Sequence, residues 1–375
     1  MTASSAGAGR PGESGTAKVR VGLVFGGRST EHSVSCVSAA SVLAAVDRDR
    51  YDVVAIGITQ DGRWVLAADQ PAALTSGSLP VVAGDLSQLV LAGDPTVTGL
   101  VSPGGGPGIP AVDVVFPLLH GPYGEDGTLQ GLLELAGLPY VGSGVFASAA
   151  AMDKQHMKLV LAGHRLPVGP YEVVTPRQWE QDPRAVLRRI GERLSLPVFV
   201  KPARGGSSIG ISKVTDAADL QEAVELARRY DPKVVVETML AGREIECGVL
   251  EGPDGPQASL PSEIHLHPDH AFYDFEAKYL DEGTGFDIPA VLTAAETKAV
   301  QDMACAAFDA LGCEGLARVD FFLGPDGLVV NEVNTMPGFT PASMFPRMWA
   351  ASGVDYPTLV DRLLTSALNR RRGLR

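Results

Sequence analysis

The sequence predicts an α/β domain with a parallel sheet, followed by a region of mixed α+β packing. Three observations point there. In the first part, apolar strand patterns alternate with helix patterns, the signature of β-α-β units. In the second part, strand patterns adjoin one another across glycine loops and turn signals. The chain has 375 residues, 45% hydrophobic and 20% charged, enough for two or three domains with real cores.

The first part opens with KVRVGLVFGG, a buried strand pattern ending in glycines at Gly26 and Gly27. STEHSVSCVSAASVLAAV follows as a helix, with Ser29 or Thr30 expected as its cap. YDVVAIGIT is a second strand, and GRWVLA pairs as a short third. Residues 69 to 110 carry much Gly, Pro and Ala and read as an elaborated connection. AVDVVFPLLHG is another buried strand. TLQGLLELAG is a short helix closed by Gly137, and LPYVG begins a further strand. The first boundary falls near residue 143.

Beyond it, one helix is expected over roughly 146 to 163. PVFVKPARGGSSIGISKV is strand, glycine loop, strand. DAADLQEAVELARRY is an amphipathic helix with Asp216 placed to cap it. KVVVETML is a strand, REIECGVLEG and QASLPSEIHL read as paired strands, and AAETKAVQDMACAAFDALG is a helix.

RVDFFLGPDGLVVNEVNTMPG, Arg318 to Gly338, carries the strongest chemical signal. Pro325-Asp326-Gly327 reads as a three-residue hairpin loop with Gly327 left-handed. That register sets Asp320 opposite Glu332 and Arg318 opposite Asn334, all on one face, with Phe322 and Val330 continuing it toward the turn. Opposed carboxylates repel, and a buried pair needs a cation between them. Two carboxylates and a carboxamide oxygen suit Mg²⁺, which binds few carboxylates and several substrate phosphate oxygens. Arg318 is a poor metal ligand but a good partner for a transferred phosphoryl group.

VKPARGGSSIGISKV lacks the Gly-Lys-Ser/Thr ending of a Walker loop, and a strand follows it. Its amides, Ser207 and Ser208 suit phosphate oxygens, with Lys201 entering from the preceding strand. An ordinary Gly-Ser hairpin has the same composition. Glu237 ends an apolar strand, with Glu244 beyond. Such acids accept from an adenine amine or a ribose hydroxyl, although singly both read as surface residues.

The net charge of −13 argues against binding a nucleic-acid backbone. Four scattered cysteines fit a reducing compartment. Residues 1 to 17 are small and polar and read as a disordered tail, and no apolar run reaches membrane-spanning length. A cytoplasmic protein without membrane contact is expected.

Four pieces stand in order: GGRSTEHSVS, HGPYGEDGTLQG, VKPARGGSSIGISKV and RVDFFL…NEVNTMPGFT. With YDFEAKY, they resemble the D-alanine–D-alanine ligase family of the ATP-grasp superfamily, from about residue 19 to about 365. The resemblance implies an N-terminal α/β domain over 18–142, then an ATP-grasp fold of two α+β subdomains, 143–237 and 238–375, holding ATP between them. It implies synthesis of D-alanyl-D-alanine from two D-alanines for peptidoglycan, with ATP cleaved to ADP and phosphate, by a homodimer.

Carried over by motif, Asp320, Glu332 and Asn334 bind two Mg²⁺ ions, with Mn²⁺ able to substitute. Lys154 and Lys201 contact ATP phosphates, with Lys158 the competitor of Lys154, and Lys278 reaches the γ-phosphate. Ser207 and Ser208 cover the phosphates; Glu237 and Glu244 take adenine and ribose. Glu31 pairs with the first D-alanine's ammonium, and His120 lies near it. Arg318 and the Gly338 amide form an oxyanion site. Ser343 and the Met344 amide hold the second D-alanine's carboxylate. HAFYDFEAKYLDEGTGFDIP reads as a closing loop in which Tyr279 bonds Ser207, and Ser207 approaches Glu31. Relatives that make the D-lactate ester have histidine where Tyr279 stands.

Two departures stand out. Many relatives have Arg-Glu-Gly-Ser-Ser where this chain has Arg204-Gly205-Gly206-Ser207-Ser208, and Lys-Trp where Thr238-Met239 follows Glu237. His265, His267 and His270 suggest zinc, but no fourth ligand is evident, and they read as solvated or packing histidines.

Overall fold

The computed structural model describes residues 18–74, 80–96, 100–103, 111–265 and 285–370. The N-terminal sheet has four strands in the order Trp64–Leu66, Tyr51–Ile58, Val19–Gly26, Val114–Pro117. The last three are mutually parallel, and the short first strand is an antiparallel edge. The parallel strands read as unbroken apolar runs because both faces are covered. Leu23 and Phe25 pack in a core with the His32–Ala45 helix, while Val24 packs with Leu129 and Leu133 of the Thr128–Leu135 helix.

A second sheet, here the central sheet, has four antiparallel strands: Tyr171–Val174, Val234–Thr238, Val198–Pro202, Ser212–Val214. Val186 and Ile190 of the Pro183–Arg193 helix and Leu220 and Val224 of the Leu220–Arg228 helix fill its outer core. Asp216 accepts from the Ala218 amide, capping the single 3₁₀ turn that leads into the second helix. The third, C-terminal, sheet is antiparallel, with Arg243–Gly252 beside Leu316–Gly324 and Gly327–Asn334 at one edge. The Ala294–Leu311 helix packs on it through Val300, Ala304 and Phe308. The four cysteines are free thiols. Among the described residues, no helix is long and apolar enough to cross a membrane.

The N-terminal core does not stop at the N-terminal strands. Phe339, Phe345, Trp349, Leu359 and Leu363 belong to the same cluster as Leu23 and Phe116. The Met344–Ala351 and Tyr356–Asn369 helices therefore close over the N-terminal sheet.

Several local expectations change. The helix expected over 146 to 163 is two helices, Val145–Met152 and Lys154–Gly163. Asp153 breaks them by adopting extended backbone and accepting the Gln155 and His156 amides at 3.1 and 3.2 Å. LPYVG forms only an isolated bridge, Val115 to Tyr140, and then turns at Gly142 with φ 100°. Neither Ser29 nor Thr30 caps the first helix, which has Glu31 at its N-cap position. The Ser29 hydroxyl instead donates to the His120 carbonyl at 2.7 Å.

The key hairpin also differs from its predicted form. Gly324 pairs with Gly327, so the loop is the two residues Pro325 and Asp326. A β-bulge then places Asn331 as the extra residue, and Asp320 still meets Glu332 and Arg318 still meets Asn334. Val330 changes face. It pairs with Phe321 and is fully buried in the core with it.

Candidate active site

A cavity of about 380 Å³ lies between the central and C-terminal sheets and reaches the N-terminal domain. It brings together Glu31, His120, Lys154, Lys201, Glu237 and Glu244. Ser207, Ser208, Arg318, Asp320, Glu332 and Asn334 line it too, as do Gly338, Ser343 and Met344. Lys278 and Tyr279 lie outside the described residues, as do His267 and His270.

At one wall stand the hairpin oxygens. Arg318 donates from Nε and Nη2 to the two Asp320 oxygens, each at 2.7 Å, and its Nε is 3.2 Å from Glu246. Asn334 donates from Nδ2 to Asp320 at 3.0 Å. Lys154 donates to Glu332 at 3.1 Å and to the Gly205 carbonyl at 3.0 Å. Burial pulls the Lys154 pKa down, but the surrounding carboxylates, Glu332 foremost and then Glu237 and Glu125, together outweigh it and the net shift is upward. Each hairpin carboxylate is thus held against a cation already. The set of two carboxylates and a carboxamide fits a hard divalent cation such as Mg²⁺ or Mn²⁺.

A second cluster occupies the side toward the central sheet. Glu237 receives Lys158 at 3.1 Å on one oxygen and Lys201 at 2.7 Å on the other. Lys158 is only 2% exposed. Burial alone pushes the Glu237 carboxyl up, yet the two lysines bring it down to about 2. The residue weighed against Lys154 is therefore in the cavity as well, but on a different carboxylate. Lys201, expected at phosphate, is held by Glu237 too.

The third region belongs to the N-terminal domain. Ser207 donates its hydroxyl to Glu31, joining the glycine loop to the first helix. A Cβ at Gly206 would lie 2.9 Å from the Glu31 carboxylate, so a side chain there would push that carboxylate aside. His120 bonds the Met336 carbonyl through Nδ1 at 3.0 Å. A carbonyl only accepts, so Nδ1 carries a proton. Ser343 sits at a helix N-cap position without capping; its hydroxyl accepts the Thr340 amide at 3.1 Å and meets the Thr340 hydroxyl at 2.9 Å.

Sequence reasoning missed Glu125. Its carboxylate accepts the Gly121 amide at 2.8 Å and lines the cavity beside Glu31 and His120. Protein atoms crowded around the carboxyl push it up to about 8, and the Glu31 charge adds to the shift. The available signal was an acid inside the glycine-rich HGPYGEDG run, directly after a buried strand. Away from the cavity, His265 meets Asp287 at 2.9 Å near Glu263, whose carboxylate Arg243 already holds.

A parallel N-terminal sheet feeding a cleft between two antiparallel sheets, with acids and buried lysines facing inward, is the arrangement of the ATP-grasp fold. Comparison with known proteins narrows the class. Residues 20–143 match the family model described as D-ala D-ala ligase N-terminus, and residues 160–365 match D-ala D-ala ligase C-terminus. The D-alanine–D-alanine ligase of Streptomyces coelicolor is 58% identical over 371 residues, 95% of each chain. The D-alanine–D-alanine ligase structure from Coxiella burnetii superposes with TM-score 0.80 at 36% identity, covering 94% of each chain. The VanG D-Ala:D-Ser ligase structure from Enterococcus faecalis gives 0.82 at 35% identity, over 94% of this chain and 100% of that one. The chain belongs to the D-alanine–D-alanine ligase family.

Proposed function

We propose that this protein joins two D-alanines into D-alanyl-D-alanine for peptidoglycan, using ATP and passing through D-alanyl phosphate. One observation supports it above the rest: a single cavity holds the hairpin carboxylates and, by the Ser207–Glu31 bond, an acid from the N-terminal domain. A carboxylate is a poor acyl donor because its leaving group is oxide. Accepting the γ-phosphoryl group turns that oxygen into part of a phosphate, a good leaving group, and releases ADP.

In this reading Glu31 pairs with the first D-alanine's ammonium and His120 lies against the same substrate. Lys154, Lys201, Ser207, Ser208 and Lys278 contact the nucleotide phosphates, while Glu237 and Glu244 take the base and ribose. Asp320, Glu332 and Asn334 hold Mg²⁺, or Mn²⁺ in its place, which neutralises phosphate charge when bound. The second D-alanine, its carboxylate held by Ser343 and the Met344 amide, attacks through its neutral amine. Arg318 and the Gly338 amide meet the oxyanion as the C–N bond forms. Collapse expels phosphate and leaves the peptide. Tyr279 belongs to the loop that keeps water out. The enzyme works in the cytoplasm as a homodimer.

The test is phosphate release with D-alanine against L-alanine, with Mg²⁺ and then with chelator, followed by product analysis with D-serine and D-lactate as second substrates. Dipeptide formed only from D-alanine, and only with metal, is expected. ATP binding without substrate-dependent phosphate release contradicts the proposal. The likeness to a D-Ala:D-Ser ligase makes the D-serine arm the informative one.

A further inference from the structure

The Lys158–Glu237–Lys201 cluster has more positive charge than its carboxylate needs. Either lysine alone would neutralise Glu237, and both are largely buried, with side-chain exposures of 2% and 14%. Each holds a different carboxylate oxygen, so together they fix the plane of the group as well as its charge. Lys201 comes from the Val198–Pro202 strand, the neighbour of the Glu237 strand, where it pairs with Val235, two residues from Glu237. Lys158 comes from a separate helix, Lys154–Gly163, and lies over the Tyr171 ring at 5.8 Å. It is the group that ties Glu237 to something other than its own sheet.

We propose that Lys158 is a specificity-determining positioning residue for the nucleobase: with Lys201 it locks Glu237 as an oriented carboxylate that selects a purine bearing an exocyclic amine. This rests on the reading of the cavity as a nucleotide site. An ionised carboxylate only accepts hydrogen bonds. It therefore accepts from a 6-amino group and repels a 6-oxo group, whose lone pairs meet its own. A carboxyl free to rotate or to take up a proton loses that discrimination, because a protonated carboxyl donates to a 6-oxo group. The surplus positive charge of the cluster favours the nucleotide in any case, so the proposal concerns selection between bases rather than gross affinity.

The experiment measures equilibrium competition of ATP and ITP against a fluorescent ATP analogue on the full chain with Mg²⁺. ITP carries a 6-oxo group where ATP has the 6-amino group, and with it a hydrogen on N1. Wild type is expected to bind ATP more tightly by about tenfold or more, the worth of one hydrogen bond to a charged group. Lys158→Met, which keeps side-chain length and leaves Glu237 its Lys201 partner, is expected to shrink that ratio toward unity. Lys158→Arg is expected to keep most of it. Lys158→Gln serves as the second removal if the methionine variant does not fold. A folded Lys158→Met or Lys158→Gln protein with the wild-type ratio overturns the assignment. If Glu237→Gln abolishes the preference while both Lys158 removals keep it, Lys158 alone is wrong and the nucleotide reading stands. If wild type binds neither nucleotide, the nucleotide reading falls and this inference with it.

Discussion

Glu332 illustrates how much one side chain carries. It faces Asp320 across the hairpin and accepts from Lys154. Changing it to glutamine preserves size and hydrogen bonding while removing one of two opposed charges. Glu332→Gln is expected to lower substrate-dependent phosphate release by orders of magnitude with an unchanged circular-dichroism spectrum; near-normal release would contradict the metal assignment. Glu125 makes a different prediction, about pH. Its folded-state pKa stands at about 8 against an ordinary 4.5. The folded state therefore binds more protons than the unfolded chain across that window. The stability this group contributes is full below its ordinary pKa and is lost as pH rises through about 8. Melting temperature measured from about pH 5 to pH 9 should fall less steeply in Glu125→Gln than in wild type. Parallel curves for the two proteins count against a proton-holding Glu125.

At the scale of elements, the break at Asp153 matters most. The same carboxylate caps the Lys154–Gly163 helix and binds the Lys233 ammonium at 2.7 and 2.8 Å. The Lys154 amide meanwhile donates to the Ala203 carbonyl at 2.9 Å, next to the glycine loop. One joint thus aims Lys154 at Glu332 from a helix start and ties that helix to the central sheet. Asp153→Ala removes a cap, worth about 1 kcal/mol, and strands a largely buried lysine. A loss of about 3 kcal/mol is expected in urea denaturation. Loss under about 0.5 kcal/mol would mean the joint is held by packing alone.

At the scale of the molecule, the N-terminal sheet and the last two helices share one core, so the two ends of the chain are folded together. Arg370 reinforces this at the seam. Its Nη1 donates to the Gly142 carbonyl at 2.7 Å and the Tyr140 carbonyl at 3.3 Å, and its Nη2 to Glu251 at 3.1 Å. It joins the end of the N-terminal domain to the C-terminal sheet. Arg370→Ala should lower stability by about 1–3 kcal/mol, because the buried guanidinium's bonds to the Gly142 and Tyr140 carbonyls and to the exposed Glu251 are lost. A single calorimetric transition is expected to persist in both proteins, at a lower temperature in the variant. Separate transitions for wild type would contradict the shared core.

Much of the site was legible because some determinants are local. Side chains alternate along a strand whatever surrounds it, which set Arg318, Asp320, Glu332 and Asn334 on one face before any tertiary contact was known. The parallel strands announced themselves by burial on both faces, and the family motifs carried the order of the parts. What the chain's own pattern did not contain were choices settled by packing. The two-residue loop and the bulge at Asn331 depend on Val330 finding a place against Phe321 in the core. The partition of Lys154 and Lys158 between Glu332 and Glu237 depends on how a helix lies across two sheets. Glu125 acquires its raised pKa only when Glu31 and the surrounding protein close around it. Periodicity and turn chemistry act over a few residues and can be read in order along the chain. Charge pairing and desolvation act through space, and only the assembled fold decides which groups meet.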